Sequence, residues 1–103
     1  MEIDRSALRD FLSDRTVLVT GAGGSIGSEL SRQLVSLNPF RLALVDVSEH
    51  NLYRLENSLR TERYDGEMDF CIADVRDGSL MDDLFASHQP DVVLHTADRK
   101  SVV

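Results

Sequence analysis

The chain has 103 residues, enough for one small domain, and 42 % of them are hydrophobic, which argues against intrinsic disorder. One cysteine excludes an internal disulfide. The sequence also has no Cys/His cluster of the kind that binds zinc, so we expect no metal site. The net charge of −7 argues against nucleic acid or an anionic membrane as a partner. No apolar run approaches the roughly 20 residues of a membrane span, and we expect a cytoplasmic chain without a signal peptide.

The first half of the chain alternates between helix and strand. Charged and apolar residues at near-helical spacing predict a short amphipathic helix over 4–13. The β-branched run 16–20 lacks polar alternation and predicts a strand buried on both faces. A glycine cluster and then a second helix follow, and this helix ends before an Asn-Pro pair. Its apolar stripe consists of Ile26, Leu30, Leu34 and Leu37.

The second half continues this alternation. Residues 42–45 predict a second buried strand, 70–73 a third and 92–95 a fourth. Ser48 and Asp77 are suited to cap the two intervening helices. The inward stripes of these helices are Leu52, Leu55 and Leu59 in the first, and Leu80, Leu84 and Phe85 in the second.

Apolar strands that alternate with amphipathic helices predict an α/β fold, a Rossmann-like doubly wound parallel sheet. Right-handed crossovers place the four strands in the order 3-2-1-4. A complete dinucleotide-binding fold continues with strands 5 and 6. We therefore expect an incomplete sheet of about four strands in which the fourth strand is an edge.

The glycine cluster after the first strand fits the spacing T-G-x-x-G-x-x-G. Gly21 allows a sharp turn, Gly24 lets the backbone approach a pyrophosphate, and Gly27 lets the helix pack close to the strand. The N–H groups of Ser25 and Ile26, at the positive end of the helix dipole, would face the phosphates. The alternative is a glycine-rich turn that binds no ligand.

Acidic residues end the second and third strands. Asp46 follows the last glycine by 19 residues, where a carboxylate binds the adenosine ribose in dinucleotide folds. No arginine occupies 47–49 to meet a 2′-phosphate, so NAD is favoured over NADP. Asp74 would accept from the adenine amino group, with Val75 against the ring. The alternatives are a helix-capping role for Asp46 and a plain strand-end aspartate for Asp74.

The other residues with reactive side chains are weaker candidates. Cys71 is predicted to face the core, and His50 and His88 are predicted to be solvated helix residues. His95 lies at the carboxyl edge of the sheet, where ligands bind, and a structural role and a ligand contact have equal weight there.

Residues 17–30, Val-Leu-Val-Thr-Gly-Ala-Gly-Gly-Ser-Ile-Gly-Ser-Glu-Leu, resemble the nucleotide loop of the extended short-chain dehydrogenase/reductases. Within these they are most similar to the bacterial nucleotide-sugar 4,6-dehydratases and epimerases of polysaccharide biosynthesis. The resemblance covers roughly residues 3–97. It implies NAD as the cofactor, contacted by Gly21, Gly24, Ser25, Ile26, Gly27, Asp46, Asp74 and Val75 and lined by His95, Thr96 and Ala97.

The resemblance also implies a chemistry for the full-length parent. Its substrate is a UDP-linked N-acetyl sugar; NAD takes a hydride from C4, water leaves across C5 and C6, and the hydride returns at C6. In the long members a membrane-spanning region precedes the enzyme domain. The family's Thr-Asp-Lys run and its Tyr- or Met-x-x-x-Lys pair have no match in this sequence. We therefore expect an N-terminal fragment without catalytic residues, inactive alone and prone to form homo-oligomers.

Three segments are expected: a leading helix or linker over 1–14, the N-terminal part of an NAD-binding domain over 15–97, and a non-native tail over 98–103. The tail, Asp-Arg-Lys-Ser-Val-Val, equals one translation of a common sequencing adapter up to its stop codon, and it contains the only lysine. The alternative is a natural divergent end. Two other functions stay open: a non-catalytic dinucleotide-binding module, and a methyltransferase-type fold for S-adenosylmethionine, which the glycine spacing disfavours.

Overall fold

The structure, a computed structural model, describes residues 4–96, so that Ala97 and the predicted tail lie outside the described residues. Four helices and four strands alternate along this part of the chain. The helices are α1 (Arg5–Leu12), α2 (Ser25–Leu37), α3 (Glu49–Leu59) and α4 (Gly78–His88). The strands are β1 (Thr16–Thr20), β2 (Arg41–Asp46), β3 (Glu67–Ile72) and β4 (Val92–His95). They form one parallel sheet in the order β3-β2-β1-β4, which confirms the predicted fold.

The two central strands form the core of the molecule. Every residue of β1 is buried, and so is every residue of β2 except Arg41. On one face of the sheet, α1, α2 and α3 pack against Val17, Val19, Leu42 and Leu44. On the other face, α4 packs against Leu18, Ala43 and Val45. Because both central strands are buried on two faces, the loops that follow them leave the sheet from rigid positions.

The starts of α3 and α4 and the end of α2 follow the predicted signals. Asp4, Ser48 and Asp77 cap α1, α3 and α4 with their side chains, each accepting from a backbone N–H of the first turn. The C-cap of α2 is Asn38, whose φ of 60° is left-handed, immediately before the proline. α2 begins differently, since its N-cap residue is Gly24 and no side chain caps it.

Two apolar stripes differ from the prediction. Ile26 is 63 % exposed, because on the first turn of α2 it is Gly27 that packs against the loop. In α4 the buried residue is Met81, whereas Leu80 and Phe85 are exposed and Leu84 is only partly buried. A single helix on that face buries a narrow stripe, and spacing alone does not select which of two adjacent apolar residues occupies it.

The third strand and its neighbouring histidine also differ. β3 begins at Glu67, three residues earlier than predicted, because pairing with β2 extends to the Arg41–Glu67 position. His88 is not fully solvated: its Nε2 lies 3.2 Å from Oδ2 of Asp69 on β3. This contact joins the last turn of α4 to β3. His50 is exposed, as predicted.

Candidate functional site

The loop after β1 crosses the carboxyl end of the sheet in a tight turn. Gly21 adopts a φ of +66°, which favours glycine. The N–H of Ala22 donates to the carbonyl of Val45 at 2.9 Å, and the N–H of Gly24 donates to the carbonyl of Gly21 at 3.2 Å. The first bond ties the loop to β2, and the second closes the turn that leads into α2.

Three of the four loop glycines are required by the packing of the protein itself. A Cβ on Gly21 would lie 2.3 Å from the carbonyl oxygen of Thr96, and one on Gly27 would lie 2.0 Å from the carbonyl oxygen of Gly21. A Cβ on Gly23 would lie 2.6 Å from Cβ of Asn51, on the first turn of α3. The sequence motif did not include Gly23, because its partner is on another helix.

Gly24 is different from the other three. A Cβ there would meet nothing closer than the Gly21 carbonyl oxygen at 3.5 Å, an ordinary contact. Its backbone angles, φ −75° and ψ −178°, are available to any residue. The fold therefore gives no reason for a glycine at this position.

The first turn of α2 leaves backbone donors free. Within residues 4–96, no group accepts a hydrogen bond from the N–H of Ser25 or Ile26. Both residues are exposed and lie at the positive end of the helix dipole. The structure thus places the two free N–H groups next to Gly24, which has no side chain. An anion that binds at this helix end needs both features.

Asp46 joins the loop to the second strand. Its carboxylate is buried, with the residue 7 % exposed, and accepts from the N–H of Gly23 at 2.8 Å and of Ser48 at 2.9 Å. It does not cap α3, since that role belongs to Ser48, whose Oγ accepts from the N–H of Asn51. Each carboxylate oxygen keeps a second lone pair, so Asp46 can still accept from a hydroxyl group.

Asp74 lies after the end of β3, and its carboxylate is engaged by Arg76. The guanidinium approaches it at 2.7 Å, and the backbone N–H of Arg76 donates to it at 2.9 Å. These side-chain and backbone bonds lower the pKa of Asp74 to about 2. Val75 beside it is exposed. A ligand amino group would share this carboxylate with Arg76, which the sequence did not indicate.

His95 and Thr96 end β4 beside the loop. Nδ1 of His95 is hydrogen-bonded to the hydroxyl of Thr20, while the residue as a whole is exposed. The hydroxyl of Thr96 donates to the carbonyls of Thr20 and Gly21. Cys71 is half-buried, and burial, followed by the charge of Asp69, raises the pKa of its thiol.

An open recess of about 240 Å³ lies between α2 and α3, next to the loop. Two cationic side chains line it, Arg32 and Arg54, together with Gly23, Gly24 and Asn51. Arg32 is paired with Glu29 at 2.8 Å, whereas Arg54 has no ion pair within residues 4–96. Neither arginine falls within 47–49, the range in which we expect a residue that meets a 2′-phosphate.

Two kinds of site are not found in the described part of the chain. Over residues 4–96, no cluster of three or more His, Cys, Asp or Glu side chains is arranged to hold a metal ion. None of the helices within that range has the length and apolar character needed to cross a membrane.

Comparisons with known proteins define the family. Residues 17–103 match the family described as polysaccharide biosynthesis protein. The chain is 34 % identical to the capsular polysaccharide biosynthesis protein CapD of Staphylococcus aureus, over 99 % of this chain and 17 % of CapD. It is 37 % identical to the probable polysaccharide biosynthesis protein EpsC of Bacillus subtilis, over 97 % of this chain and 17 % of EpsC. A dTDP-glucose 4,6-dehydratase of Shigella flexneri is 36 % identical, over 84 % of this chain and 23 % of that enzyme.

Solved structures share the fold. The protein Pen from Bacillus thuringiensis superposes with a TM-score of 0.71 at 27 % identity, over 89 % of this chain and 27 % of Pen. The epimerase Mth375 from Methanothermobacter thermautotrophicus gives 0.65 at 24 % identity, over 90 % and 25 %. Fold and loop define a Rossmann-like α/β domain with a glycine-rich turn.

The chain belongs to the polysaccharide biosynthesis protein family, which confirms the resemblance found in the sequence. It spans about a sixth of the length of CapD and EpsC.

Proposed function

We propose that residues 15–97 are the NAD-binding part of a nucleotide-sugar 4,6-dehydratase or epimerase that acts in polysaccharide biosynthesis. The observation that carries this proposal is Gly24. The packing of the protein does not require a glycine there, but a pyrophosphate that approaches the backbone does. The free N–H groups of Ser25 and Ile26 supply the donors for that pyrophosphate.

In this proposal the remaining predicted residues bind the other parts of NAD. Asp46 accepts from the adenosine ribose with the lone pairs that Gly23 and Ser48 leave free. Asp74 accepts from the adenine amino group, beside Val75. His95 at the end of β4 and Thr96 after it line the dinucleotide, and the family resemblance implies the same role for Ala97.

The proposal includes the substrate class but assigns no catalytic residue to this chain. Membership in a polysaccharide biosynthesis family and similarity to a dTDP-glucose 4,6-dehydratase support a nucleotide-sugar substrate. We propose a UDP-linked N-acetyl sugar. The acid and base that act on the sugar would lie in the additional length that the relatives have, and this chain would contribute the cofactor site.

Calorimetric titration of the 103-residue chain with NAD tests the proposal. Gly24→Ala should keep the thermal midpoint but weaken NAD binding at least about tenfold, since the new methyl group occupies the phosphate position. Gly78→Ala is the matched control, because a Cβ there meets nothing within 4 Å and the position is on α4. Equal NAD affinity in the wild type and Gly24→Ala, or tighter binding of S-adenosylmethionine than NAD, would contradict the proposal.

We also propose that NAD binds more tightly than NADP, since the Asp46 carboxylate repels a phosphate on the ribose 2′-oxygen. One observation favours the second candidate, NADP: the recess beside Gly23 and Gly24 is lined by Arg32 and Arg54. Arg54→Gln separates the two. If the recess takes the 2′-phosphate, this change weakens NADP and leaves NAD unaltered, while Arg60→Gln, at the C-cap of the same helix, changes neither. If NAD is preferred, wild-type NADP binding is already the weaker of the two.

A further inference from the structure

The end of β4 lies against the turn of the phosphate loop. The backbone N–H of Thr96 donates to the carbonyl of Thr20 at 3.1 Å and so extends the pairing of β4 with β1 by one residue. The hydroxyl of Thr96 reaches further. It lies 2.7 Å from the carbonyl oxygen of Thr20 and 3.0 Å from that of Gly21, and its one proton is shared between the two carbonyls.

The Gly21 carbonyl is the point on which the loop turns. It accepts from the N–H of Gly24, which closes the turn, and it is the group that leaves no room for a side chain on Gly27. The same peptide group is fixed at its other end, because the N–H of Ala22 donates to Val45 on β2. The Thr96 hydroxyl therefore holds the carbonyl end of the Gly21–Ala22 peptide group, and Val45 on β2 holds its N–H end.

We propose that Thr96 is a positioning residue for the dinucleotide site: its hydroxyl fixes the Gly21 carbonyl, and through it the Gly24 backbone that faces the pyrophosphate. The family resemblance implied only that Thr96 lines the cofactor. The new element is a hydroxyl that faces the protein backbone and acts on a loop 75 residues earlier in the chain. This inference rests on the proposed NAD site for its effect on binding, but not for its effect on the loop.

The loop effect is measured without any ligand. Hydrogen exchange of the Gly24 amide, followed by NMR on the free chain, should be about fivefold faster in Thr96→Val, which keeps the side-chain volume and removes the hydroxyl. Thr96→Ser should exchange at the wild-type rate. The internal reference is the Leu52 amide of α3, which donates to the carbonyl of the N-cap residue Ser48. Its exchange rate should be the same in the wild type and both variants.

The binding effect is measured by titration of the same variants with NAD. Thr96→Val should weaken NAD about fivefold, and Thr96→Ser should restore affinity to within about twofold of the wild type. Val92→Ala separates positioning from stability, because it removes packing between β4 and the core without touching the loop. It should lower the thermal midpoint and leave the affinity of the folded chain unchanged.

The outcomes distinguish the two proposals. If wild-type chain fails to bind NAD, the proposed function fails, and Gly24 exchange alone decides the role of Thr96. If Thr96→Val matches the wild type in Gly24 exchange, or Thr96→Ser behaves like Thr96→Val, the positioning role is overturned. Should Thr96→Val not fold, Thr96→Ser and Thr96→Ala replace the pair, since they differ by the hydroxyl alone, and equal exchange in these two also overturns it.

Discussion

The backbone N–H of Gly23 donates to Oδ2 of Asp46 at 2.8 Å, which joins the loop after β1 to the end of β2. The other carboxylate oxygen accepts from the backbone N–H of Ser48. One buried side chain therefore holds both the loop after β1 and the loop after β2. An amide cannot replace it, because its NH₂ group would face one of the two backbone donors.

Asp46→Asn should therefore lower the free energy of unfolding by about 2 kcal/mol, since a buried N–H loses a charged acceptor. Urea denaturation of the two chains measures this difference. Asp83→Asn is the matched control, because Asp83 is exposed on α4 and its side chain holds no hydrogen bond within residues 4–96. Equal midpoints for Asp46→Asn and the wild type would show that the two bonds contribute nothing to stability.

Asp46→Ala should narrow the difference between NAD and NADP affinity, which calorimetric titration with each dinucleotide measures.

Gly27→Ala tests the contact between α2 and the loop. Alanine is preferred over glycine inside a helix by up to about 1 kcal/mol, which would favour the change. Here the added Cβ would lie 2.0 Å from the Gly21 carbonyl oxygen, so the helix must move, and overpacking of this kind costs about 1–3 kcal/mol. We expect net destabilisation in thermal unfolding, whereas Gly78→Ala should be neutral or slightly stabilising. A more stable Gly27→Ala would mean that α2 is not packed this closely.

The phenol of Tyr64 should lose its proton at an unusually high pH. Burial, and then the charges of Glu67 and Asp69, raise the pKa of Tyr64 to about 12, and its hydroxyl donates to the carbonyl of Pro39 at 2.8 Å. Because the folded pKa lies above the unfolded value of about 10, the neutral phenol stabilises the fold below pH 10, and this contribution disappears as pH rises towards 12.

Ultraviolet titration of Tyr53→Phe measures this directly, since Tyr64 is then the only tyrosine. The phenolate signal should appear near pH 12 while the chain is folded. A midpoint near 10 in the folded chain would contradict the partly buried position of the Tyr64 hydroxyl.

The edge strand β4 should cause self-association. Within residues 4–96 it pairs only with β1, and Val93 on it is 46 % exposed. An apolar strand with unpaired N–H and C=O groups is a template for pairing with another copy. Val93→Lys should lower the mean mass in sedimentation equilibrium towards that of a monomer, and Tyr53→Lys, on the exposed face of α3, should not. Identical masses for all three chains would locate the association elsewhere.

The strands and helices could be predicted from local signals, and the handedness of crossovers between parallel strands then gave the strand order. Buried strands appear as apolar runs, and Ser48 and Asp77 mark the helix starts by side chains that bond within three residues. The glycine spacing also predicted the sharp turn at Gly21 and the close approach of α2 at Gly27.

What the sequence did not indicate depends on contacts between distant residues. Gly23 needs its small size because of Asn51, and Arg54 on α3 lines the recess beside the loop. Arg76 engages Asp74 from only two residues away, but no pattern distinguishes a paired carboxylate from a free one. The choice of Met81 over Leu80 depends on how α4 crosses the sheet, which periodicity does not contain.

The pairing of β1 with β4 has a consequence for the order of events during synthesis. The contact between Thr20 and His95 spans 75 residues, so it forms only after nearly all of the described chain has left the ribosome. Residues up to Asp46 can build the β2 side of the glycine turn early, but its β4 side must wait for β4. A nascent chain therefore acquires the complete turn in a late step, and ligand affinity in ribosome-arrested chains of increasing length would report when this last strand docks.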